Sequence, residues 1–446
     1  MSAALACAAC KEAHPPLPTL VLVTLDTTRA DHLSTYGYER RTDPFLAELA
    51  RASRVFEIAV PSATWTLPSH VSMFTGLDPA EHGCWRKTED VGEGGFPALS
   101  PETQLFTARL REAGYHQLAA VGGQFTSHHY GLLRDFDEWL DPGERWDLPG
   151  SELNTWIFGA LERRPRDRPL FLFVNYFDAH SPYGAPEGRA YPFPADGRVL
   201  PVIPPIEARA PDAPPPPPEV VRDALDQYDR ELLVQDEALA ALFARLEREG
   251  LLRDALIIIT ADHGEMFGEQ PGVFGHGCLP YEPVARVPLV VQRRPGGPVD
   301  RPQAPVSLAN VAATLLSAAG LAALPASGGA PRFDLLALPA EPPPAFVEHR
   351  GATRWFGVLR GARYKYGRSL EGKEAELLVD LQADPAERLK RPAPAEARAV
   401  LAELRAELES LPGRWLPPPK EMGRTELGPV ELERLRDLGY GGDAGD

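Results

Sequence analysis

Continuous apolar runs of strand length recur along the chain, and polar side chains follow them. The first run is TLVLVTL at 19–25, and similar runs lie within RPLFLFVNYFDAH and DALIIITADHGE. Unbroken apolar runs of this length are typical of parallel strands that are buried on both faces. The three runs end at carboxylates and histidines, namely Asp26, Asp178 with His180, and Asp262 with His263.

Amphipathic segments with helical spacing alternate with these runs. They lie in PFLAELARASRVFE, in ETQLFTARLREAGYHQLAAVGG and in the long segment YDRELLVQDEALAALFARLEREGLL. Strands that alternate with helices predict a doubly wound α/β sheet flanked by helices. Open sheets of this kind carry their chemistry at the carboxyl ends of the strands. We therefore expect the three polar strand ends to meet at one edge of the sheet.

The same patterns divide the chain into segments. We expect a catalytic α/β domain at 19–324, in which a Pro-rich stretch at 182–219 forms a surface insertion or, alternatively, a lid over the site. Short strands with turns and the helix PAEARAVLAELRAELESL then predict a small C-terminal α+β subdomain with an antiparallel sheet at 325–411. Residues 412–446 are expected to be a fraying tail. Residues 1–18 are expected to be disordered or the remnant of an export signal.

Composition narrows the choice of partners. The 446 residues carry a net charge of −17, which argues against nucleic acid or an anionic membrane surface as a partner. No apolar run reaches the length of a transmembrane helix. The start MSAALACAAC has small residues before a Cys, as lipoprotein signals do, but it lacks a charged beginning. We therefore expect either an exported (periplasmic or lipoprotein) protein or a cytoplasmic one.

Three side chains at two of the strand ends form a candidate metal site. Asp26, Asp262 and His263 combine carboxylate and imidazole ligands. One divalent ion is predicted, and Mn²⁺, Zn²⁺ or Mg²⁺ suits this set more than Ca²⁺ does. Taken singly, Asp26 could cap a helix and DHG could be a turn, but their convergence favours metal binding.

Thr66 lies just before Pro68, at the expected start of a helix that ends at Gly76. A hydroxyl in this position commonly caps backbone N–H groups and has no chemical role. Beside a dication and the positive end of a helix dipole, however, it can become a nucleophile. We expect Thr66 to cap its helix, to bind the metal and to attack the substrate.

Six motifs occur in the order found in the sulfatase family, which belongs to the alkaline phosphatase superfamily. They are LVTLDTTRADHLSTYGY, SATWTLPSHVSMFTGL, FVNYFDAHSPY, LIIITADHGE, FGHGCLPYEPVARVPLVV and ELLVDLQADPAER. The resemblance runs from Thr19 to about Arg388. It implies a mixed α/β sheet flanked by helices, a C-terminal antiparallel subdomain, and one or more divalent metals at the sheet's carboxyl edge.

The resemblance also implies roles for single residues. The implied metal ligands are those already singled out: Asp26, Asp262 and His263. Thr66 stands where sulfatases carry the Cys or Ser that is oxidised to formylglycine. His180 stands at the histidine that contacts the ester oxygens, and His276 stands where many members have a Lys with a similar role.

The chain also departs from the family's pattern. Sulfatase maturation acts on Cys-x-Pro-x-Arg or its Ser counterpart, whereas this chain reads Thr-Leu-Pro-Ser-His at 66–70, and threonine cannot yield the aldehyde hydrate. VGGQFTSHH replaces the family's Gly-Lys-Trp-His segment, so two usual sulfate contacts are missing. Thr27 stands where many sulfatases have a second Asp ligand. His70 replaces the motif Arg and is expected either to contact the substrate or to pack within the helix.

These departures favour phosphoester chemistry. A threonine nucleophile beside two Asp and one His resembles the superfamily's phosphodiesterases and phosphoethanolamine transferases. We predict a hydrolase of small anionic esters, of the phosphodiester or phosphonate type, in which Thr66 attacks and His180 or His276 assists the leaving oxygen. The alternatives are a sulfate-ester hydrolase without formylglycine, a phosphoglycol or phosphoethanolamine transferase, and a catalytically dead binding protein.

Overall fold

The computed structural model describes residues 17–85, 95–194, 197–201, 203, 216–270, 273–325, 332–343, 345–350, 354–360, 363–369, 376–385, 387, 398–410 and 423–426. The strands of these residues are β1 (Thr19–Leu25), β2 (Arg54–Val55), β3 (Ala59–Val60), β4 (Gly95–Ala98), β5 (His116–Val121), β6 (Glu138–Leu140), β7 (Leu170–Tyr176), β8 (Ala255–Thr260), β9 (Met266–Phe267), β10 (Phe274–Gly275), β11 (Leu289–Arg294), β12 (Val306–Ser307), β13 (Ala345–Arg350), β14 (Arg354–Arg360), β15 (Tyr364–Ser369), β16 (Glu376–Asp380) and β17 (Gly423–Glu426). The α-helices are α1 (Pro44–Ala50), α2 (Thr66–Thr75), α3 (Pro79–His82), α4 (Phe106–Glu112), α5 (Gly150–Arg163), α6 (Pro218–Arg248), α7 (Glu282–Ala285), α8 (Asn310–Ala318) and α9 (Arg398–Ser410). Among the described residues, each helix is too short or too polar to span a bilayer.

A seven-stranded mixed sheet forms the centre of the molecule, with the strand order β2-β11-β8-β1-β7-β5-β6. Strand β1 is parallel to β7 and β8, and β5 continues the parallel arrangement towards β6. Strand β11 runs antiparallel to β8 and to β2. The predicted α/β class is confirmed, and the three apolar runs of the sequence are the neighbouring strands β8, β1 and β7.

Helices cover both faces of this sheet. Alternate residues of a strand point to opposite faces, so a single strand contacts helices on both sides. On β7, Phe171 contacts Phe106 of α4, and Phe173 contacts Phe74 of α2. Tyr176 has the opposite parity and donates a hydrogen bond to Asn154 of α5. Strands β1, β7 and β8 are therefore buried along almost their whole length.

The C-terminal part forms the predicted small subdomain. Strands β13 to β16 make a four-stranded antiparallel sheet. Helix α9 packs on it through Leu404 and Leu408, which join a small core with Phe346 and Tyr366. Within the expected tail, β17 pairs with β4, so the prediction of fraying is wrong for residues 423–426.

Two expected segments are only partly described. Of the Pro-rich stretch, residues 182–194, 197–201, 203 and 216–219 are described. The last two of these begin α6, and residues of the earlier part contact this helix. Gln227 donates to the Pro201 carbonyl and Arg230 to the Phe193 carbonyl. Most of the expected leader at 1–18 lies outside the described residues.

Candidate metal centre and nucleophile

The parallel central strands bring the predicted residues to one edge of the sheet. Asp26 follows β1, and Asp262 with His263 follows β8 directly beside it. His180 follows β7 on the other side of β1, and Thr66 is the first residue of α2. Strand length and register thus place these side chains together, although they are far apart in sequence.

The three predicted metal ligands form one buried cluster. Ligand atoms of Asp26, Asp262 and His263 all lie within 4.8 Å of one another, and all three residues have 0% exposure. Asp26 Oδ1 and Asp262 Oδ2 are buried without a hydrogen-bond partner. Buried carboxylate oxygens in this state are costly unless a cation satisfies them, so the residues present fit a divalent metal.

The orientation of His263 supports the same conclusion. Its Nδ1 lies 2.9 Å from the Gly264 carbonyl, so this nitrogen carries the proton and donates it. Its Nε2 therefore presents a lone pair, 3.3 Å from Asp262 Oδ2 and 4.0 Å from Asp26 Oδ1. A backbone acceptor on one ring nitrogen is the usual way in which a protein orients a metal-binding histidine.

Thr66 adjoins this cluster at the start of α2. Its Oγ1 lies 3.2 Å from His263 Nε2, and the residue is 2% exposed. The expectation that Thr66 caps the helix is wrong, because Trp65 holds the N-cap position and no side chain caps there. The N3 residue is Pro68, which has no N–H for a cap to bind. The Thr66 hydroxyl is thus directed to the cluster rather than to the backbone.

His70, one turn after Thr66 in α2, belongs to a buried series of hydrogen bonds between polar side chains. Its Nδ1 donates to the Thr66 carbonyl at 2.9 Å, so its Nε2 accepts from the Thr24 hydroxyl at 3.0 Å. Thr24 in turn accepts from Asn175 Nδ2, which also reaches Asp26 Oδ2 at 3.4 Å. Both ring nitrogens of His70 are therefore occupied within the protein. This geometry favours the packing role over the substrate contact that the sequence also allowed.

The rings of His180 and His276 lie next to each other, and the His276 ring also contacts His263. The ring centroids of His263 and His276 are 4.4 Å apart, and those of His276 and His180 are 4.9 Å apart. His180 Nδ1 donates to the Ser181 carbonyl at 2.6 Å. His276 Nδ1 instead lies 3.2 Å from Oε1 of Glu265, a buried carboxylate. The predicted catalytic side chains therefore share one site with the metal cluster.

Burial sets the protonation of these groups. It raises the pKa of Asp26 well above its usual range, and the charge of Asp262 adds to this effect. Burial also raises the pKa of Asp262 to about 6. It lowers the pKa of His180 to about 3 and that of His276 to about 4, so both imidazoles are neutral at neutral pH.

Two further residues at the strand ends have structural roles. Asp178 accepts a hydrogen bond from the Gly150 N–H at the start of α5. Thr27 has a φ of 53°, and its hydroxyl donates to the backbone carbonyls of Asp26 and Ala179. Thr27 thus stabilises the turn after β1 and does not supply the second acidic ligand that many sulfatases have.

Sequence reasoning missed three residues of the site. Asn175 and Thr24 are polar residues inside otherwise apolar strands, and this interruption was the available signal. Glu265 follows the DHG stretch directly, but nothing in its local sequence indicates that it contacts His276. The contact exists because the hairpin of β9 and β10 returns the chain to the end of β8.

The fold and the buried cluster together define an ester hydrolase of the metal-dependent alkaline phosphatase superfamily. Within it, the chain belongs to the sulfatase family, whose sequence model matches residues 18–321. An ulvan-active sulfatase of Formosa agariphila is 23% identical over 83% of this chain and 76% of its own length. A multifunctional alkaline phosphatase superfamily protein of Trinickia caryophylli is 26% identical over 61% of this chain and 68% of its own. The crystal structure of a phosphonate monoester hydrolase of Agrobacterium radiobacter superposes with a TM-score of 0.70 at 20% identity, covering 88% of this chain and 95% of that one.

Proposed function

We propose that this protein hydrolyses monoanionic phosphorus esters, either phosphodiesters or phosphonate monoesters, with Thr66 as the nucleophile. The observation that carries the proposal is the Thr66 Oγ1, which lies 3.2 Å from His263 Nε2 at the edge of the Asp26–Asp262–His263 cluster. No formylglycine can form at a threonine, so the covalent intermediate must be one that water can cleave without a second hydroxyl on the nucleophile.

The charge of the site supports a monoanionic substrate. Among the described residues, no Lys or Arg forms an ion pair with Asp26, Asp262 or Glu265. Arg29, the nearest such residue along the chain, pairs with Asp31 and Glu269. Two carboxylates cancel the charge of one dication, so a dianionic phosphate monoester would meet little compensating positive charge.

The proposed metal is one divalent ion, held by Asp26, Asp262 and His263 with Thr66 beside them. Oxygen and imidazole ligands suit Mn²⁺, Zn²⁺ or Mg²⁺, and Ca²⁺ fits less well. When bound, such an ion lowers the pKa of a neighbouring hydroxyl and offsets negative charge on an ester. The N–H groups at the start of α2 add a further partial positive charge.

The protein residues then have distinct tasks. The Thr66 hydroxyl loses its proton to water, and its oxygen bonds to phosphorus while the bond from phosphorus to the leaving oxygen breaks. We assign the proton for that oxygen to His276, because its Nδ1 lies 3.2 Å from the Glu265 carboxyl. Burial raises the pKa of Glu265 to about 7, so this pair can hold a proton near neutral pH. An anionic ester nearby raises the pKa of His276, so the ring can take up a proton when substrate binds. Water next attacks phosphorus and His276 accepts its proton. The bond between phosphorus and the Thr66 oxygen breaks, and that oxygen regains a proton from water.

Sulfate-ester hydrolysis is the second candidate. Sulfate monoesters are also monoanionic, and a relative of this chain is an ulvan-active sulfatase. The same charge argument therefore admits them. The nucleophile separates the two candidates. In this chain it is a plain hydroxyl, which lacks the second hydroxyl that formylglycine would supply, and this favours the phosphorus esters.

Turnover of four p-nitrophenyl esters tests the proposal. The substrates are a phenylphosphonate, a phosphodiester, a phosphate monoester and a sulfate, each assayed with protein reconstituted with Mn²⁺ or Zn²⁺. We expect turnover of the phosphonate or the diester. Thr66→Ala should lower kcat at least about 10³-fold because the covalent route is lost, whereas Thr66→Ser should retain activity. Turnover of the sulfate alone, dependent on Thr66, would contradict the proposal.

A further inference from the structure

A continuous row of aromatic rings connects the nucleophile with His180. Trp65, directly before Thr66, contacts Phe125 with ring centroids 5.4 Å apart. Phe125 contacts Trp146 at 6.2 Å, and Trp146 contacts Phe177 at 6.2 Å. Phe177 stacks on the His180 ring at 4.2 Å with an interplanar angle of 15°. We call Trp65, Phe125, Trp146 and Phe177 the aromatic belt.

The belt occupies the region where the VGGQFTSHH segment departs from the family's pattern. An ideal Cβ on Gly123 would lie 2.5 Å from the Phe177 ring, and one on Gly122 would lie 2.8 Å from Phe177 Cβ. The two glycines are therefore required for Phe177 to lie against the end of β5. The same segment supplies Phe125.

Two rings of the belt, Trp65 and Trp146, reach solvent. Phe125 and Phe177 are buried, with 5% and 6% exposure, whereas Trp65 and Trp146 are half-buried. Both indoles pack against the main hydrophobic core and keep part of their surface exposed. Trp65 adjoins Thr66 in the chain, and the Trp146 ring lies 6.3 Å from the His180 ring, so both indoles offer apolar surface at the border of the site.

We infer that the aromatic belt binds an apolar, aromatic substituent of the substrate, so that the site selects aryl-substituted monoanionic esters over small alkyl ones. The inference deepens the proposed function and rests on it for the identity of the ester. The recognition itself depends only on a monoanionic head group beside the metal cluster and a ring against Trp65 and Trp146. Edge-to-face packing with these indoles accounts for the selectivity.

Two sulfonates test this recognition without any chemical step. Benzenesulfonate and methanesulfonate are both monoanions, neither is an ester, and they differ in the ring. Calorimetric titration of the full-length, Mn²⁺-loaded protein should show that benzenesulfonate binds at least about tenfold more tightly, the ratio that corresponds to about 1.4 kcal/mol. Trp146→Ala should reduce this ratio to about threefold or less, and Trp65→Leu should have a similar effect.

Trp139→Ala is the matched control, because Trp139 is 44% exposed on β6 and lies outside the belt. It should leave the ratio unchanged. A wild-type ratio near one, or equal loss of affinity for both sulfonates in Trp146→Ala, would overturn the inference, since the belt would then only support the fold.

The ester panel separates this inference from the proposed function. A tenfold ratio that depends on the belt, without turnover of any phosphorus ester, would retain the aromatic subsite and refute the reaction. Thr66-dependent turnover with a sulfonate ratio near one would retain the reaction and refute the subsite.

Discussion

Thr66 owes its position to two features of the backbone around it. Trp65 is extended, with φ −156° and ψ 165°, and the helix begins with Thr66 itself. Pro68 removes the N–H that a capping hydroxyl would use. The Thr66 side chain therefore meets His263 instead, while the Thr66 carbonyl is held by His70. A threonine is fixed in this way beside two carboxylates, each of which has one oxygen without a hydrogen-bond partner.

His276 provides the most specific test at the scale of single residues. If it protonates the leaving oxygen, His276→Gln should lower kcat by ~10²–10⁴ for a phenyl ester, whose leaving group is poor. The loss should be much smaller for a p-nitrophenyl ester, because that leaving group departs without a proton. Steady-state kinetics with both esters measure the difference.

His128→Gln is the control, since His128 has a half-exposed side chain that pairs with Asp141. It should leave both rates unchanged. Equal losses for the two esters in His276→Gln would show that His276 holds the site together without transferring a proton.

At the scale of elements, helix α6 carries two buried acidic side chains, Glu231 and Asp236. Asp236 accepts hydrogen bonds from the Phe45 and Leu46 N–H groups and so caps α1 from a different part of the chain. Glu231 accepts one from the Gly184 N–H at the start of the Pro-rich stretch. Burial raises the pKa of Asp236 to about 7 and that of Glu231 to about 8. Helix α6 thus anchors two segments at some electrostatic cost.

Glu231→Gln should make the protein more stable at alkaline pH. The amide keeps an oxygen for the Gly184 N–H, and it removes the cost of a buried charge. The folded-state pKa of about 8 lies above the unfolded value near 4.5, so the folded state holds the proton longer. Wild-type stability therefore falls as pH rises from about 4.5 to about 8. The Tm advantage of Glu231→Gln should grow across this window and become constant above it.

Thermal melts from pH 5 to pH 9 measure this advantage. Glu237→Gln on the same helix is the matched control, because the Glu237 side chain is 46% exposed and pairs with Arg189. Its Tm difference from wild type should change little with pH. A Glu231→Gln advantage that is the same at all pH values would contradict the electrostatic explanation.

For the whole molecule, the three candidate metal ligands affect the free energy of unfolding as well as the proposed reaction. Asp26, Asp262 and His263 lie at the ends of the two central strands with no exposure to solvent, and the chain as a whole is acidic. Burial and, after it, the charge of Asp262 raise the pKa of Asp26, so the two buried carboxylates repel each other when both are ionised. A cation that binds only the folded state removes this repulsion and stabilises the fold by mass action.

Removal of divalent ions should therefore lower the Tm at pH 8 by several degrees. At a concentration 100-fold above the Kd, a restored metal contributes about 2.7 kcal/mol. Melts in EDTA, followed by addition of Mn²⁺, Zn²⁺, Mg²⁺ or Ca²⁺, measure the shift and rank the ions. Asp262→Asn should abolish it, while Asp178→Asn, outside the cluster, should preserve it. A Tm that is insensitive to every ion in wild type would argue against a metal at this site.

The sequence by itself determined the central strands β1, β7 and β8, several helices and most residues of the candidate site. The apolar run at 19–25 is β1 to the residue, and the amphipathic segments became α1, α4 and α6. These predictions succeed because side-chain periodicity reports which face of an element is buried. Asp26, Asp262 and His263 were found because parallel strands end at a common edge.

Only the tertiary structure decided how the site is completed. The contact of Glu265 with His276 depends on the hairpin of β9 and β10. The hydrogen bonds that link His70, Thr24 and Asn175, and the aromatic belt, join segments that are far apart in sequence. The pairing of β17 with β4 is of the same kind. Local patterns record the burial of a residue but not its partner. The partner is set by strand order and packing, which bring together residues that no local rule relates.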